Sequence, residues 1–310
     1  MAADPVASIA AAKDVPDMNP AQDTDIAPAP APAGAAGPEN PLAALRSEID
    51  AIDDALHELL MRRADVVARL AASRVKASTS PLRPGREAQI LRRLLARHAG
   101  PLPEQALVRL WREILSISSA MQGPFSVAVF TQGADQARLA RQHFGSLTPV
   151  RSHPTPARAL AAVVAGEAQV AVLPLPQEAE PAEAAWWTGL DSPRLQVVAR
   201  LPFWSPGPEP TAEALVVAVG APDPSGADRS LLRIEMRSDL GTGGGRARLL
   251  ADLAAAGLPP RQLLLHRGDG VLLALAELDG VVTPEDPRLK TLPVDRALPL
   301  GFYAVPQRGE

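Results

Sequence analysis

A heptad pattern of apolar residues near the start of the chain is interrupted by one arginine. From Leu45 to Leu59 the apolar side chains recur at alternating steps of four and three residues, and the pattern resumes at Val66 and Leu70. This spacing predicts one long α-helix whose apolar seam holds Arg63 where leucine would be expected. A buried cation without a partner is strongly unfavourable. We therefore expect a helical bundle with an internal anion-binding cavity, unless the helix is phased so that Arg63 reaches water.

The composition is typical of a globular protein and excludes several functional classes. Hydrophobic residues make up 46% of the chain, charged residues 21%, and the net charge is only -4, so we expect no nucleic-acid partner. No stretch of about 20 apolar residues occurs, and no secretory leader is recognisable, so we expect no membrane association and a cytoplasmic location. The absence of cysteine and the scatter of five histidines give no sign of a metal site.

The periodicity divides the chain into four parts. Residues 1–40 are rich in Ala and Pro and are expected to be a disordered tail. Residues 41–123 predict three helices: the seam helix to about Arg74, a second helix after a turn at Pro84 and Gly85, and a third ending near Gln122. Residues 124–227 alternate strands and helices, which predicts an α/β region. Residues 228–310 predict a βαββαβ unit of ferredoxin-like type, so the fold class is multidomain.

Polar residues on the seam helix have spacings that predict a shared site. Arg63 and Arg74 are eleven positions apart, which places them within about 20° of one another around the helix axis. Arg46 lies seventeen positions before Arg63, about 260° around the axis, and cannot easily reach the same cavity from its own chain. A partner chain could bring it there.

The second and third helices add complementary groups. Ser118 and Gln122 are an i, i+4 pair on the third helix, and Arg86 and Glu87 begin the second. Taken singly, Arg46, Glu87, Ser118 and Gln122 are better interpreted as ordinary surface or helix-end positions. Together the set offers cations, an amide, a hydroxyl and one carboxylate, which suits a small dianion that carries a hydroxyl group.

Four short motifs then identify a resemblance. They are L-x-x-L-R-x-x-I-D at residues 42–50, L-x-x-R-R at 59–63, R-E at 86–87 and S-x-x-x-Q at 118–122. At these spacings residues 42–122 resemble the all-helical chorismate mutase family. The resemblance implies a three-helix module that forms an intertwined homodimer and catalyses the Claisen rearrangement of chorismate to prephenate, without a cofactor, in phenylalanine and tyrosine biosynthesis.

The resemblance also implies roles for individual residues. Arg63, and Arg46 from the second subunit, would bind substrate carboxylates, Ser118 would assist at the ring carboxylate, and Arg86 would reach the substrate directly or through water. For the reacting groups, the resemblance implies that Arg74 and Gln122 would flank the ether oxygen and that Glu87 would accept a hydrogen bond from the ring hydroxyl.

Two positions depart from the family pattern. Arg74 stands where lysine is common, which keeps the charge but changes the donor geometry. Arg83 replaces an aspartate found in some relatives, so Glu87 is expected to handle the hydroxyl alone.

The remaining chain resembles, more weakly, the prephenate dehydratase and ACT regions of the bifunctional P-protein. The dehydratase signatures are absent, since Thr131–Gly133, Pro176–Glu178 and Glu213–Leu215 stand at the expected positions. We therefore expect a degenerate region without dehydratase activity. Three alternatives stay open: a lyase of the same fold that acts on isochorismate, a non-catalytic regulatory or dimerisation protein, and a bifunctional enzyme with an unfamiliar dehydratase site.

Overall fold

The computed structural model describes residues 41–74, 82–131, 135–178, 180–207, 210, 212–237, 245–267 and 271–309. The predicted tail at residues 1–40 lies outside the described residues. The chain divides into two compact units, Met1–His57 and Glu58–Glu310. In the described part of the first unit, residues 41–57, every residue is helical and exposed to solvent.

Three helices open the described chain. They are α1 (Pro41–Arg74), α2 (Pro84–Leu95) and α3 (Glu104–Ala120). The long α1 therefore runs as the heptad pattern predicts. The turn predicted at Pro84 and Gly85 is wrong, because the helix itself begins at Pro84. Proline suits the first helical position, and Asp223 accepts hydrogen bonds from the next backbone N–H groups, including that of Gly85 at 3.0 Å.

Strands and helices then alternate. Their order is β1 (Val127–Phe130), α4 (Asp135–Phe144), β2 (Val150–His153), α5 (Pro156–Val164), β3 (Val170–Pro174), β4 (Leu195–Leu201), β5 (Trp204–Ser205), β6 (Ala214–Val219), β7 (Asp228–Arg237), α6 (Gly245–Ala255), β8 (Pro260–Arg267), β9 (Val271–Asp279), β10 (Arg296–Ala304) and β11 (Gln307–Arg308). Two 3₁₀ turns, Trp186–Gly189 and Pro287–Thr291, lie between strands, and the second stands where the sequence predicts a short helix.

Nine of these strands form one sheet in the order β2-β1-β3-β6-β4-β10-β7-β9-β8. The first half contains the parallel pairs β1–β2 and β1–β3 and then the antiparallel pairs β3–β6 and β4–β6. Every residue of β1 is buried, as are the first four of β3, which explains why these apolar runs are recognisable as strands in the sequence. The short edge strand β2 was missed, because its middle residues Arg151 and Ser152 are exposed and only Val150 packs against the core, which leaves no apolar run in the sequence.

The C-terminal part pairs in the order β10-β7-β9-β8, and all three pairings are antiparallel. This is the arrangement expected of a ferredoxin-like unit. The sheet continues across the two regions because β10 also pairs with β4 at Gly301 and Val197. Gly301 has a φ of +117°, and a Cβ there would lie 2.3 Å from the carbonyl oxygen of Val197, so only glycine fits the junction.

Candidate active site

Arg63 of α1 lies beside α3. Its Nη1 donates a hydrogen bond to the Oγ of Ser118, which is only 7% exposed. Its guanidinium carbon lies 6.0 Å from the centroid of the Trp111 ring, within the range of a cation–π contact. Partial burial lowers the pKa of Arg63 from its usual value, yet the guanidinium has no carboxylate partner in the described part of the chain. The structure thus leaves a half-buried cation available to an anion.

Gln122 follows Ser118 by four residues and contacts it. Its Nε2 donates to the carbonyl oxygen of Ser118 at 2.8 Å, so one of its two amide N–H donors is used. Its Oε1 is buried and has no hydrogen-bond partner within the described residues. The amide therefore keeps one N–H donor and its oxygen unused within the described residues. The structure therefore brings together Arg63, Ser118 and Gln122.

Glu87 is paired with a residue that the sequence analysis missed. Its Oε2 accepts a hydrogen bond at 3.0 Å from Nη1 of Arg112, a residue of α3 that is only 5% exposed. Burial raises the pKa of Glu87, and Asp223 adds to this effect while Arg112 opposes it. Arg112 could have been found by the argument used for Arg63, since it interrupts the buried positions Val108 and Leu115 at helical spacing.

His143 of α4 lies next to the pair formed by Glu87 and Arg112. Its Nε2 lies 3.5 Å from Nη1 of Arg112. Burial, together with the positive charge of Arg112, holds the pKa of His143 well below its ordinary value of 6.5. The imidazole is therefore neutral at pH 7. Among the described residues, no hydrogen bond joins Glu87 to Arg63, Ser118 or Gln122, so the polar residues around α3 form two groups.

Arg86 and Arg83 lie at the exposed start of α2. The backbone N–H of Arg86 donates to Asp223 Oδ2 at 3.0 Å, and its side chain contacts Gln89 at 3.4 Å. Nε of Arg83 donates to the same carboxylate oxygen at 3.0 Å. Asp223 thus fixes the beginning of α2, and in this single chain the side chain of Arg86 does not join the Arg63 group.

The two remaining predicted residues lie on α1. Arg46 is exposed on the described part of the first unit. Arg74 is the last residue of α1, and its side chain lies outside the described residues. Within the ranges that the structure describes, no group of three or more histidine, aspartate or glutamate side chains is placed to hold a metal ion. No helix among those residues is both long and apolar enough to cross a bilayer.

Comparison with known proteins locates the resemblance in this helical part. Residues 45–123 match the family model of chorismate mutase type II. The bifunctional chorismate mutase/prephenate dehydratase of Pseudomonas aeruginosa is 35% identical over 114 residues, which cover 35% of this chain and 31% of that protein. The protein of the same description from Stutzerimonas stutzeri is 34% identical over 149 residues, covering 45% of this chain and 40% of that one. The matched stretches therefore span less than half of these relatives.

Two solved structures are similar at lower identity. The prephenate dehydratase of Arthrobacter aurescens, solved with L-Phe, has a TM-score of 0.44 and 15% identity, covering 58% of this chain and 89% of that one. GqqA, described as a quorum quenching acylase, has a TM-score of 0.44 and 20% identity, covering 59% and 96%.

Proposed function

We propose that this chain, which carries a chorismate mutase type II domain at residues 45–123, converts chorismate to prephenate in the biosynthesis of phenylalanine and tyrosine. The observation that carries the proposal is the contact between Arg63 and Ser118, with Gln122 just beyond the end of α3 and no competing carboxylate on Arg63 in the described part of the chain. These groups belong to the matched domain and suit a substrate that carries two carboxylates.

The reaction needs no covalent intermediate and no cofactor, so the site must act through position and charge. It must hold the flexible dicarboxylate in its compact reactive conformation and stabilise the negative charge that grows on the ether oxygen as the C–O bond breaks. In our proposal Arg63 binds one carboxylate and Ser118 assists at the ring carboxylate. Gln122 and Arg74 donate hydrogen bonds to the ether oxygen, and Arg86 contributes at the rim, directly or through water.

Glu87 would accept a hydrogen bond from the ring hydroxyl of the substrate. Arg112 occupies only its Oε2, which leaves Oε1 available as an acceptor. Arg112 is then a positioning residue, because it fixes the carboxylate without touching the substrate. The raised pKa of Glu87 makes its ionisation depend on this guanidinium.

The working form would be a homodimer in which Arg46 of one subunit completes the site of the other. This part of the proposal is supported by α1, whose seam residues Ile49, Ile52 and Leu56 are each more than half exposed in the single chain. A second copy of α1 offers a matching apolar face. The predicted cytoplasmic location and the absence of dehydratase activity stay predictions from the sequence.

The decisive experiment is an assay of the purified full-length protein with chorismate, in which prephenate is identified as the product. Replacing Gln122 with alanine should lower turnover on the order of 100- to 1000-fold, the usual cost of removing one such donor. We expect Arg63→Ala to reduce kcat/KM at least as strongly. The matched controls are Gln105→Ala and Arg62→Ala, which alter exposed residues on the same two helices.

The same preparation tests the alternatives. Pyruvate released from isochorismate, without prephenate from chorismate, would replace the proposal with a lyase of this fold. Phenylpyruvate formed from prephenate would show a bifunctional enzyme, as the names of the relatives suggest. No turnover of either substrate by the dimer would favour a non-catalytic role. Normal turnover in Gln122→Ala would refute the position assigned to that residue.

A further inference from the structure

A cavity of about 440 Å³ lies between α3, α4 and the segment that follows β4. Its volume falls within the range of small-molecule sites. The residues that matter for its chemistry are Arg109, Arg112, Arg138, His143, Phe203 and Trp204. None of the residues proposed to touch chorismate lines it; the cavity shares only Arg112, the positioning residue of Glu87, with the proposed mutase site.

The charge of the cavity is positive. Its described lining residues include three arginines and no carboxylate. Arg109 has no ion-pair partner in the part of the chain that the structure describes, and Arg138 contacts only the exposed Asp135, at 3.1 Å. The buried Arg112 uses Nη1 for Glu87 and His143, while its Nε and Nη2 make no hydrogen bond to any described residue. Guanidinium N–H donors are therefore available to a ligand at both the buried Arg112 and the exposed Arg109.

The opposite wall is apolar and aromatic. The ring centroid of Phe203 lies 5.5 Å from the guanidinium carbon of Arg112, so the ring covers one face of that cation. Trp204 and Pro202 continue this wall along the chain. A ligand with a flat apolar body could contact these rings while its charged end meets the arginines.

We propose that this cavity binds a small carboxylate that carries an aromatic ring. The carboxylate would accept hydrogen bonds from Arg112 and Arg109, and the ring would pack against Phe203 and Trp204. Because the described lining residues include three cations and no carboxylate, an ammonium group on the ligand would be repelled. The cavity should therefore select simple arylalkyl carboxylates over aromatic amino acids, whether or not the mutase proposal holds.

Calorimetric titration of the full-length protein with three matched probes tests this selection. We expect 3-phenylpropionate to bind at one saturable site, and L-phenylalanine, which differs by its ammonium group, to bind at least about tenfold more weakly. The uncharged 3-phenylpropanol should also bind at least about tenfold more weakly, because it lacks the carboxylate. Equal affinity for all three probes, or no binding of 3-phenylpropionate, would overturn the proposal.

Variants then locate the bound probe. Arg109→Gln should raise the Kd of 3-phenylpropionate about tenfold, since Arg109 lies at the exposed rim and one charge-assisted hydrogen bond is lost. Phe203→Leu should weaken binding while keeping the wall apolar. Arg93→Gln, at an exposed position of α2 outside the lining, is the control and should leave Kd unchanged. Binding that Arg63→Ala abolishes but Arg109→Gln preserves would place the probe at the proposed mutase site and refute this one.

Discussion

Helices α1 and α2 both belong to the matched domain, but they differ in how deeply their apolar side chains are buried. On α2, Ala88 and Leu91 are at most 2% exposed and pack with Leu115 and Phe203. On α1, the residues of the apolar seam are between 43% and 56% exposed: Leu45, Ile49, Ile52, Leu56, Leu59, Val66 and Leu70. A continuous apolar face of this size is unusual on a soluble surface and marks an interaction site. The apolar side of α2 is thus buried within one chain, whereas the exposed seam of α1 is the feature on which the proposed dimer depends.

The largest effect should come from a charge in the apolar face of α1. We expect Ile52→Glu to convert the proposed dimer to monomer, because each copy would place a carboxylate in the seam. Mutase turnover should fall on the order of 100-fold or more, because the site of each subunit would lose the Arg46 that we propose its partner donates. Light scattering and the chorismate assay measure the two effects.

Ala51→Glu is the matched control for this substitution. It introduces the same charge on the same helix, one position away from the seam, and should leave both mass and turnover unchanged. An unchanged dimer in Ile52→Glu would show that α1 does not form the interface. A monomer with full turnover would instead refute the contribution of Arg46.

The anchoring of α2 gives the next largest effect. A Cβ at position 85 would lie 2.0 Å from the carbonyl oxygen of Asp223, whose carboxylate also accepts hydrogen bonds from two backbone N–H groups of the helix. We expect Gly85→Ala to lower the free energy of unfolding by about 1–3 kcal/mol, the usual cost of overpacking, although alanine favours helix elsewhere. Chemical denaturation monitored by circular dichroism measures this change.

Gly189→Ala is the corresponding control, because no atom lies within 4 Å of the added methyl group. We expect it to change the unfolding free energy by no more than about 0.5 kcal/mol. Equal stability of the two variants would show that the beginning of α2 is not held tightly against Asp223, and it would remove the contrast with α1.

The same contrast explains how much the sequence could predict. Local patterns were sufficient for α1, whose heptads and Arg63 are visible in its own residues, and for the apolar runs that became β1 and β3. The attachment of α2 was not predictable, because its partners, Asp223 and the acceptors of Arg92 at Ser225, Ala227 and Val305, lie more than 130 residues away. In the candidate site, Arg63 was found and Arg112 was missed, although both interrupt an apolar helix face.

The smallest expected effect is on the pH dependence of the free energy of unfolding, and it arises at the buried His143. His143, packed against Arg112, has a pKa well below its ordinary value of 6.5, so it stays neutral in the folded protein at pH values where the unfolded chain binds a proton. Its contribution to stability is therefore complete above about pH 6.5 and declines as the pH falls, by at most about 1.4 kcal/mol per pH unit.

We expect His143→Gln to remove this part of the pH dependence when unfolding free energies are measured by denaturant titration between pH 5 and pH 7.5. The matched control is His57→Gln, which makes the same substitution at an exposed position of α1 away from Arg112. Glu87 acts in the opposite direction, because a raised carboxyl pKa removes stability as the pH rises, and comparison with the unmodified protein cancels its contribution. Parallel curves for His143→Gln and the unmodified protein would show that the imidazole is not held neutral beside Arg112, and the space between α3 and α4 would then be open to solvent, as the face of α1 is.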